Sequence, residues 1–126
     1  MVNDNAVTPA SDENDTSGWL AVPEIMELTG ASLAQVKTWL QDRDLIGARK
    51  GPNRATYVPA TFLTEEGPLV PLRGTVTVLN DGGYTDEEII DWLHEADDTL
   101  QGGSAIASLR EGNKTEVRRR AQEMAL

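Results

Sequence analysis

Residues 22–58 decide the fold, and they read VPEIMELTGASLAQVKTWLQDRDLIGARKGPNRATYV. Pro23 suits the first turn of a helix, and the apolar residues that follow it are spaced as on a single helix face. Gly30 is typical of a helix end, because glycine readily adopts the left-handed conformation that closes many helices. The sequence therefore predicts a short helix over residues 23–28 and a tight turn at Gly30.

A second, amphipathic helix is predicted from Leu33 to about Asp42. Ser32 and Gln35 have the spacing of a capping box, which marks the start of a helix. Leu33, Val36 and Leu40 recur at i, i+3 and i+7 and are expected to face the core. The outward face then carries small and polar side chains: Ser32, Ala34, Gln35, Lys37, Thr38 and Gln41.

A β-hairpin is predicted directly after this helix. Residues 45–50 and 55–58 flank Gly51-Pro52-Asn53-Arg54, whose residue types are those of a hairpin loop. The order helix, tight turn, helix, basic hairpin is the layout of a winged helix-turn-helix. We therefore expect a mainly α fold, a winged helix-turn-helix with a short β-hairpin wing, packed with a C-terminal helical extension.

The second half of the chain is predicted to be helical, with one ambiguous stretch. Residues 72–79 alternate like a strand but also repeat apolar residues at helical spacing, so this pattern leaves both structures open. Thr85 and Glu88 have the spacing of another capping box, ahead of an apolar stripe flanked by acids. From Thr115 onward the pattern is that of an amphipathic helix. We expect three parts: a disordered acidic tail over residues 1–18, the winged helix-turn-helix over residues 19–63, and a helical C-terminal domain over residues 64–126.

Charge is strongly segregated along the chain. The 126 residues contain 21 Asp and Glu against 11 Lys and Arg, so the formal charge is −10. Residues 31–62 hold five cations and two carboxylates, whereas residues 1–18 carry −4 and residues 81–98 carry −8. Because the total charge is negative, the sequence excludes a protein that binds polyanions over its whole surface. The positive segment indicates where DNA would be held.

The composition also excludes several classes of site. The chain has no cysteine, which excludes a disulfide framework, thiol catalysis and thiolate-bound metals. Its one histidine, His94, makes a catalytic triad hard to build, and we expect no enzyme activity, no metal and no cofactor. No apolar run approaches the roughly 20 residues of a membrane span, and residues 1–18 lack a signal-peptide pattern. We expect a cytoplasmic, nucleoid-associated protein without a membrane partner.

Residues 22–62 resemble the winged helix-turn-helix of the MerR and excisionase class. The residues that carry this resemblance are Ile25, Leu28-Thr29-Gly30-Ala31-Ser32, Val36, Trp39-Leu40, Leu45, Arg49 and Tyr57-Val58-Pro59. The C-terminal half is similar to a small actinobacterial family of DNA-binding proteins of the Ser/Thr-kinase-substrate type. That similarity is carried by Gly74, Leu79, Asp81-Gly82-Gly83-Tyr84, Glu88-Ile89, Trp92-Leu93 and Lys114-Thr115-Glu116-Val117-Arg118-Arg119-Arg120-Ala121-Gln122.

The resemblance implies that residues 72–81 are a helix, that the protein binds DNA, and that its N-terminal tail is exposed. The chain departs from the pattern at one position. MerR-like motifs usually place glycine four residues after the tryptophan, and this chain has Arg43 there. Arg43 is therefore expected either to adopt a left-handed conformation at an energetic cost or to let the helix end differently.

Double-stranded DNA is the expected partner of a transcriptional or nucleoid-associated regulator that acts as a monomer or weak dimer. We expect Gln35, Lys37 and Thr38 to face bases in the major groove, while the wing holds the backbone or the minor groove. The predicted DNA-binding residues are Ser32, Gln35, Lys37, Thr38, Gln41, Arg43, Arg49, Lys50, Asn53 and Arg54. The alternative is a protein-protein interaction module that uses the helix-turn-helix fold without binding DNA.

Two further sites are hypotheses. The C-terminal cations either form a second phosphate-binding patch or pair with the acidic helix over residues 86–98; they are Arg110, Lys114, Arg118, Arg119 and Arg120. Thr8 and Thr16 lie in the acidic tail, with Ser11 and Ser17, where a Ser/Thr protein kinase would reach them. Each phosphate would add about −1.5 to −2 charges and is expected to weaken DNA binding.

Overall fold

Residues 14–126 are described by a computed structural model, and they form a mainly helical chain with a small antiparallel sheet. The strands are β1 (Trp19–Ala21), β2 (Ala48–Lys50), β3 (Ala55–Pro59), β4 (Leu63–Thr64) and β5 (Gly67–Pro68). The helices are α1 (Val22–Thr29), α2 (Leu33–Gln41), α3 (Leu72–Asp81), α4 (Asp86–His94), α5 (Ala105–Arg110) and α6 (Lys114–Met124). Within this part of the chain, no helix is both long and apolar enough to cross a bilayer.

The two N-terminal helices and their turn lie where the sequence predicts them. Pro23 occupies the first turn of α1, and Gly30 ends that helix with a φ of 76°. Ser32 caps α2, where its hydroxyl oxygen accepts a hydrogen bond from the backbone N–H of Gln35 at 3.1 Å. The helix-turn-helix order therefore follows from local signals that each act within a few residues.

Strand β3 is the centre of a three-stranded sheet with the order β1-β3-β2. Both pairings are antiparallel, and Tyr57 lies opposite Ala21 of β1 and opposite Ala48 of β2. The sequence predicts the β2–β3 hairpin but not β1, because three residues are too few to show an alternating pattern. Since β1 runs directly into α1, the sheet joins the helix pair to the hairpin.

The chain just before β1 is hydrogen-bonded to the folded part. The N–H of Trp19 donates to the carbonyl of Thr16, and the N–H of Ala60 donates to the carbonyl of Gly18, both at 2.9 Å. Residues 16–19 thus form a turn, and Gly18, which the sequence assigns to the tail, is bonded to the turn that follows β3. Residues 1–13 are outside the described part of the chain, so the disorder expected there stays a prediction.

Helix α3 resolves the ambiguous stretch in favour of a helix. Its buried residues, Leu72, Thr75, Val76 and Leu79, recur at helical spacing. The Arg118 side chain of α6 crosses α3 at Gly74, where an added Cβ would overlap its guanidinium group. The alternation of β-branched residues is overridden here by burial on one helix face.

The buried apolar residues form one cluster that spans both halves of the chain. Ile25, Val36 and Val58 from the N-terminal half belong to the same cluster as Leu72 and Val117 from the C-terminal half. The core therefore continues across the boundary predicted at residues 63 and 64. We refer below to residues 19–63 as the N-terminal segment and residues 64–126 as the C-terminal segment.

The expectation that Leu33 faces the core is wrong. Val36 is fully buried, whereas 46% of Leu33 is exposed. Periodicity places Leu33 near Val36 around the helix axis, but it does not tell whether another element reaches the first turn of α2. The buried face of α2 is instead formed by Val36 with the half-buried Trp39 and Leu40.

Arg43 joins the two segments. Its φ is 68°, so it adopts the left-handed conformation that the sequence offered as one of two outcomes. Its guanidinium group donates to both carboxylate oxygens of Asp86, the first residue of α4, at 3.0 and 2.5 Å. These hydrogen bonds from Arg43 to Asp86 raise the pKa of Arg43. The left-handed backbone and the ion pair together set the direction in which the chain leaves α2.

Other polar contacts reinforce this junction. The hydroxyl of Thr61 lies 2.7 Å from Nε2 of His94, whose Nδ1 lies 2.8 Å from the carbonyl of Ile90. The ring of His94 also contacts Phe62, with centroids 5.5 Å apart. His94 thus connects the end of α4 to the turn that follows β3.

We predict that Arg43→Ala destabilises the protein more than Arg43→Gly does, by about 1 kcal/mol. Both changes remove the ion pair with Asp86, but only alanine retains the Cβ that penalises a left-handed backbone. Urea unfolding of both variants measures the difference. Equal free energies of unfolding would show that the positive φ at this position costs nothing. Arg73→Ala, which loses only a 3.4 Å contact to Asp44, is the control and should be close to wild type.

Candidate nucleic-acid interface

The outward face of α2 lies opposite the residues of this helix that are buried in the core. Val36 is fully buried, and Trp39 lies against Gly67 of β5, where a Cβ would come within 3.1 Å of the indole ring. At 100° per residue, the positions opposite Val36 are Ala34, Thr38 and Gln41. All three are exposed, as are the flanking residues Gln35 and Lys37.

The polar groups on this face differ in their availability. The hydroxyl of Ser32 caps the helix through Gln35, and the hydroxyl of Thr38 donates to the carbonyl of Ala34 at 3.0 Å. Within residues 14–126, the side chains of Gln35, Lys37 and Gln41 have no hydrogen-bond or ion-pair partner. These three side chains can therefore offer hydrogen bonds to a ligand without breaking an internal contact.

The hairpin loop presents further exposed polar side chains. Arg49, Asn53 and Arg54 are all exposed. The loop is closed by a hydrogen bond from the N–H of Arg54 to the carbonyl of Gly51 at 3.1 Å, and Arg54 has a φ of 52°. Arg49 donates to the carbonyl of Arg54 at 3.3 Å, so its guanidinium group lies against the end of the loop.

Lys50 is placed differently from Arg49, although the two are neighbours in sequence. Only 4% of Lys50 is exposed, and its ammonium group lies 4.7 Å from the centroid of the Trp19 ring. This is a cation–π contact between β2 and β1. Successive residues of a strand point to opposite faces, so Arg49 faces solvent while Lys50 faces inward. The sequence alone does not reveal this contact, because it does not predict β1.

The predicted DNA-binding residues thus fall into two groups. Eight are exposed on α2, at its N-cap or on the hairpin: Ser32, Gln35, Lys37, Thr38, Gln41, Arg49, Asn53 and Arg54. The other two, Arg43 and Lys50, have side chains engaged with Asp86 and Trp19. One exposed residue of α2, Leu33, was not predicted to belong to this surface.

In the C-terminal segment, two arginines of α6 pair with carboxylates. Arg119 contacts Glu116 at 2.6 Å and Glu123 at 2.8 Å, and Arg120 contacts Glu116 at 2.8 Å and Asp97 at 3.2 Å. Hydrogen bonds from Arg119 and then Arg120 lower the pKa of Glu116 to about 2. The sequence offered pairing with residues 86–98 as the alternative to phosphate binding, and only the contact of Arg120 with Asp97 is of that kind; the other contacts lie within α6.

The remaining cations of the C-terminal set have separate environments. Arg110 donates to the backbone carbonyls of Thr61 and Leu63 at 2.8 and 3.0 Å, and so holds α5 against the N-terminal segment. Arg118 packs over α3, and Lys114 is exposed at the start of α6. The five cations therefore do not form one patch of unpaired charge.

Within residues 14–126, no group of three or more His, Asp or Glu side chains is arranged to hold a metal ion.

Three comparisons relate this architecture to known proteins. Residues 70–125 match the family model described as the Rv2175c C-terminal domain of unknown function. The chain is 32% identical over 116 residues to the DNA-binding protein Rv2175c of Mycobacterium tuberculosis. This alignment covers 82% of this chain and 78% of the relative. The NMR structure of Rv2175c superposes with a TM-score of 0.75 at 28% identity, which covers 98% of this chain and 87% of that one.

We predict that the ionised carboxylate of Glu116 stabilises the protein above about pH 4.5 and that this contribution disappears toward pH 2. The pKa of Glu116 is lowered from its ordinary value of 4.5 to about 2, so folding favours the ionised form. Wild type should therefore melt at a higher temperature than Glu116→Gln at pH 6, and the two should converge as the pH falls. Glu65→Gln, an exposed glutamate in the β4–β5 turn, is the control. A melting difference that is unchanged at pH 2 would contradict the prediction.

Proposed function

The chain belongs to the family of the DNA-binding protein Rv2175c, and from this premise we propose that it binds double-stranded DNA through α2 and the β2–β3 hairpin. The resemblance of the C-terminal half of the sequence to a small family of DNA-binding proteins agrees with this family membership. Residues 31–62 carry a net charge of +3 in a chain of net charge −10, and this positive segment carries the proposal. Cations that neutralise phosphates supply most of the affinity of non-specific DNA binding.

In this proposal the N-terminal segment acts as a winged helix-turn-helix. The second helix of such a domain lies in the major groove, with its N-terminal residues at the base edges. Helix α2 offers Gln35, Lys37 and Gln41 for that role, and the wing offers Arg49 and Arg54 to the phosphate backbone or minor groove. The C-terminal segment has thirteen carboxylates and six cations, so its repulsion from DNA favours approach by the N-terminal segment.

We assign Arg43 and Lys50 a positioning role within this interface. Arg43 fixes the exit from α2 through Asp86, and Lys50 holds the hairpin against Trp19 of β1. Both contacts determine how the hairpin is oriented relative to α2. The phosphate contacts are then left to Lys37, Arg49 and Arg54, which are exposed.

The N-terminal tail is proposed to regulate binding as a substrate of a Ser/Thr protein kinase. Hydrogen bonds from Ser17 lower the pKa of Asp15, and the charge of Lys50 adds to this effect. Trp19, which directly follows the tail, contacts Lys50 of β2, so the tail meets the folded part beside the hairpin. Thr8 lies outside the described residues, whereas Thr16 is half-buried and its carbonyl accepts a bond from Trp19. Thr8 and Thr16 are the proposed phosphorylation sites, and a kinase would have to reach Thr16 against its partial burial.

We predict that replacing Lys37, Arg49 and Arg54 together by alanine weakens DNA binding and reduces its salt dependence. Each lost phosphate contact lowers the slope of log K against log salt by about 0.9, so the slope should fall by up to about three. Fluorescence anisotropy of the full-length chain with a labelled duplex at several salt concentrations measures both quantities.

The matched control replaces Arg73, Lys114 and Arg119, which are exposed cations of the C-terminal segment. This triple variant has the same net charge but should retain most of the wild-type slope. A slope that falls only in the control would move the interface to the C-terminal segment. Absence of salt-sensitive binding by the wild type would favour the protein-interaction module instead, because apolar docking depends little on salt.

We predict that Thr8→Glu weakens DNA binding by about two-fold, as expected for one added charge several ångströms from a phosphate in water. The effect should diminish at high salt and should be absent in Thr8→Ala, which is the neutral control. Thr16→Glu is measured in parallel, together with its melting temperature, because Thr16 contacts the folded part. Unchanged affinity of Thr8→Glu at low salt would rule out electrostatic regulation at this residue.

A further inference from the structure

Helix α2 exposes apolar groups in its first two turns. Leu33 is the first residue of the helix and is 46% exposed, and Ala34 next to it is also exposed. Thr38 lies one turn after Ala34, and its hydroxyl bonds back to the Ala34 carbonyl. That bond uses the hydroxyl proton of Thr38, so this side chain offers a ligand its methyl group and an oxygen that can only accept. Ala34 and Thr38 share the outward face, and Leu33 lies at the edge of that face, at the N-terminal residue of a proposed DNA-reading helix.

The exposed polar groups of α2 narrow the choice of base pair. Residues 33–41 read LAQVKTWLQ and contain neither an acidic residue, which would accept from cytosine, nor an arginine, which most often reads guanine. Gln35 and Gln41 are exposed, and glutamine suits the N6 and N7 atoms of adenine. Lys37 is the one side chain of this helix suited to guanine.

Thymine is distinguished in the major groove by its C5 methyl group, which apolar side chains contact. We infer that α2 reads A·T base pairs in the major groove and that Leu33 is a specificity-determining residue, which packs against thymine methyl groups. This inference rests on the proposed function, since it requires α2 to enter the major groove. The apolar groups select thymine, and the glutamine amides select the adenine paired with it.

Four duplex polymers test the inference with the full-length chain. Alternating adenine–thymine and adenine–uracil duplexes differ by the methyl group in the major groove. An inosine–cytosine duplex lacks the minor-groove amino group of guanine, so it resembles A·T in the minor groove and G·C in the major groove. Guanine–cytosine duplex completes the set. Competition against a labelled adenine–thymine duplex, followed by fluorescence anisotropy at low salt, gives the relative affinities.

We expect the adenine–thymine duplex to bind about four-fold more tightly than the adenine–uracil duplex, as for one buried methyl group. In Leu33→Ala this ratio should fall to about one. Leu28→Ala is the matched control, because Leu28 is similarly exposed at 40% but lies on α1, and it should keep the four-fold ratio. Both leucines are exposed enough that neither change should prevent folding.

The remaining outcomes overturn the inference in distinguishable ways. Equal affinity for the thymine and uracil duplexes would show that the methyl group is not read. Equal affinity for the inosine–cytosine and adenine–thymine duplexes would assign any A·T preference to the minor groove. Loss of the ratio in Leu28→Ala as well as Leu33→Ala would remove the specific role of Leu33. If no duplex binds at low salt, the proposed function itself fails, and this inference falls with it.

Discussion

The pairing of β3 on both of its edges is the constraint on which the arrangement of the N-terminal segment depends. On one edge β1 leads directly into α1, and on the other β2 brings back the chain that leaves α2. Tyr57 is opposite both Ala21 and Ala48, so a shift in either register would displace a helix relative to the hairpin. The sheet is small, but it holds the helix pair and the basic loop in one frame.

The cations of the chain fall into two groups, those bonded within the structure and those exposed to solvent. Some cations hold the structure together: Arg43 bonds Asp86 between segments, Arg110 bonds two backbone carbonyls, and Arg119 and Arg120 pair with Glu116. The exposed Lys37 and Arg49 make no ion pair with any residue that the structure describes. A basic segment in an acidic protein therefore contains both structural and available charges, and only contacts distinguish them.

Much of the fold follows from local patterns. The cap at Ser32, the turn at Gly30 and the loop over residues 51–54 each depend on groups a few residues apart, so the sequence predicts them well. The presence of Arg43 where MerR-like motifs have glycine also limits the backbone to two outcomes. Either Arg43 adopts a positive φ, or the helix ends differently. For residues 72–81 local patterns conflict, and burial against other helices decides.

The sequence by itself determined the order of the elements, the segregation of charge and the face of α2 that carries amides and a lysine. Tertiary structure decided which of those side chains are available. Lys50 is covered by β1, which begins 31 residues earlier, and Arg43 is bonded to Asp86, which lies 43 residues later. Leu33 is left exposed at the N-terminal end of α2. Exposure depends on elements that are distant along the chain, whereas periodicity describes a single element.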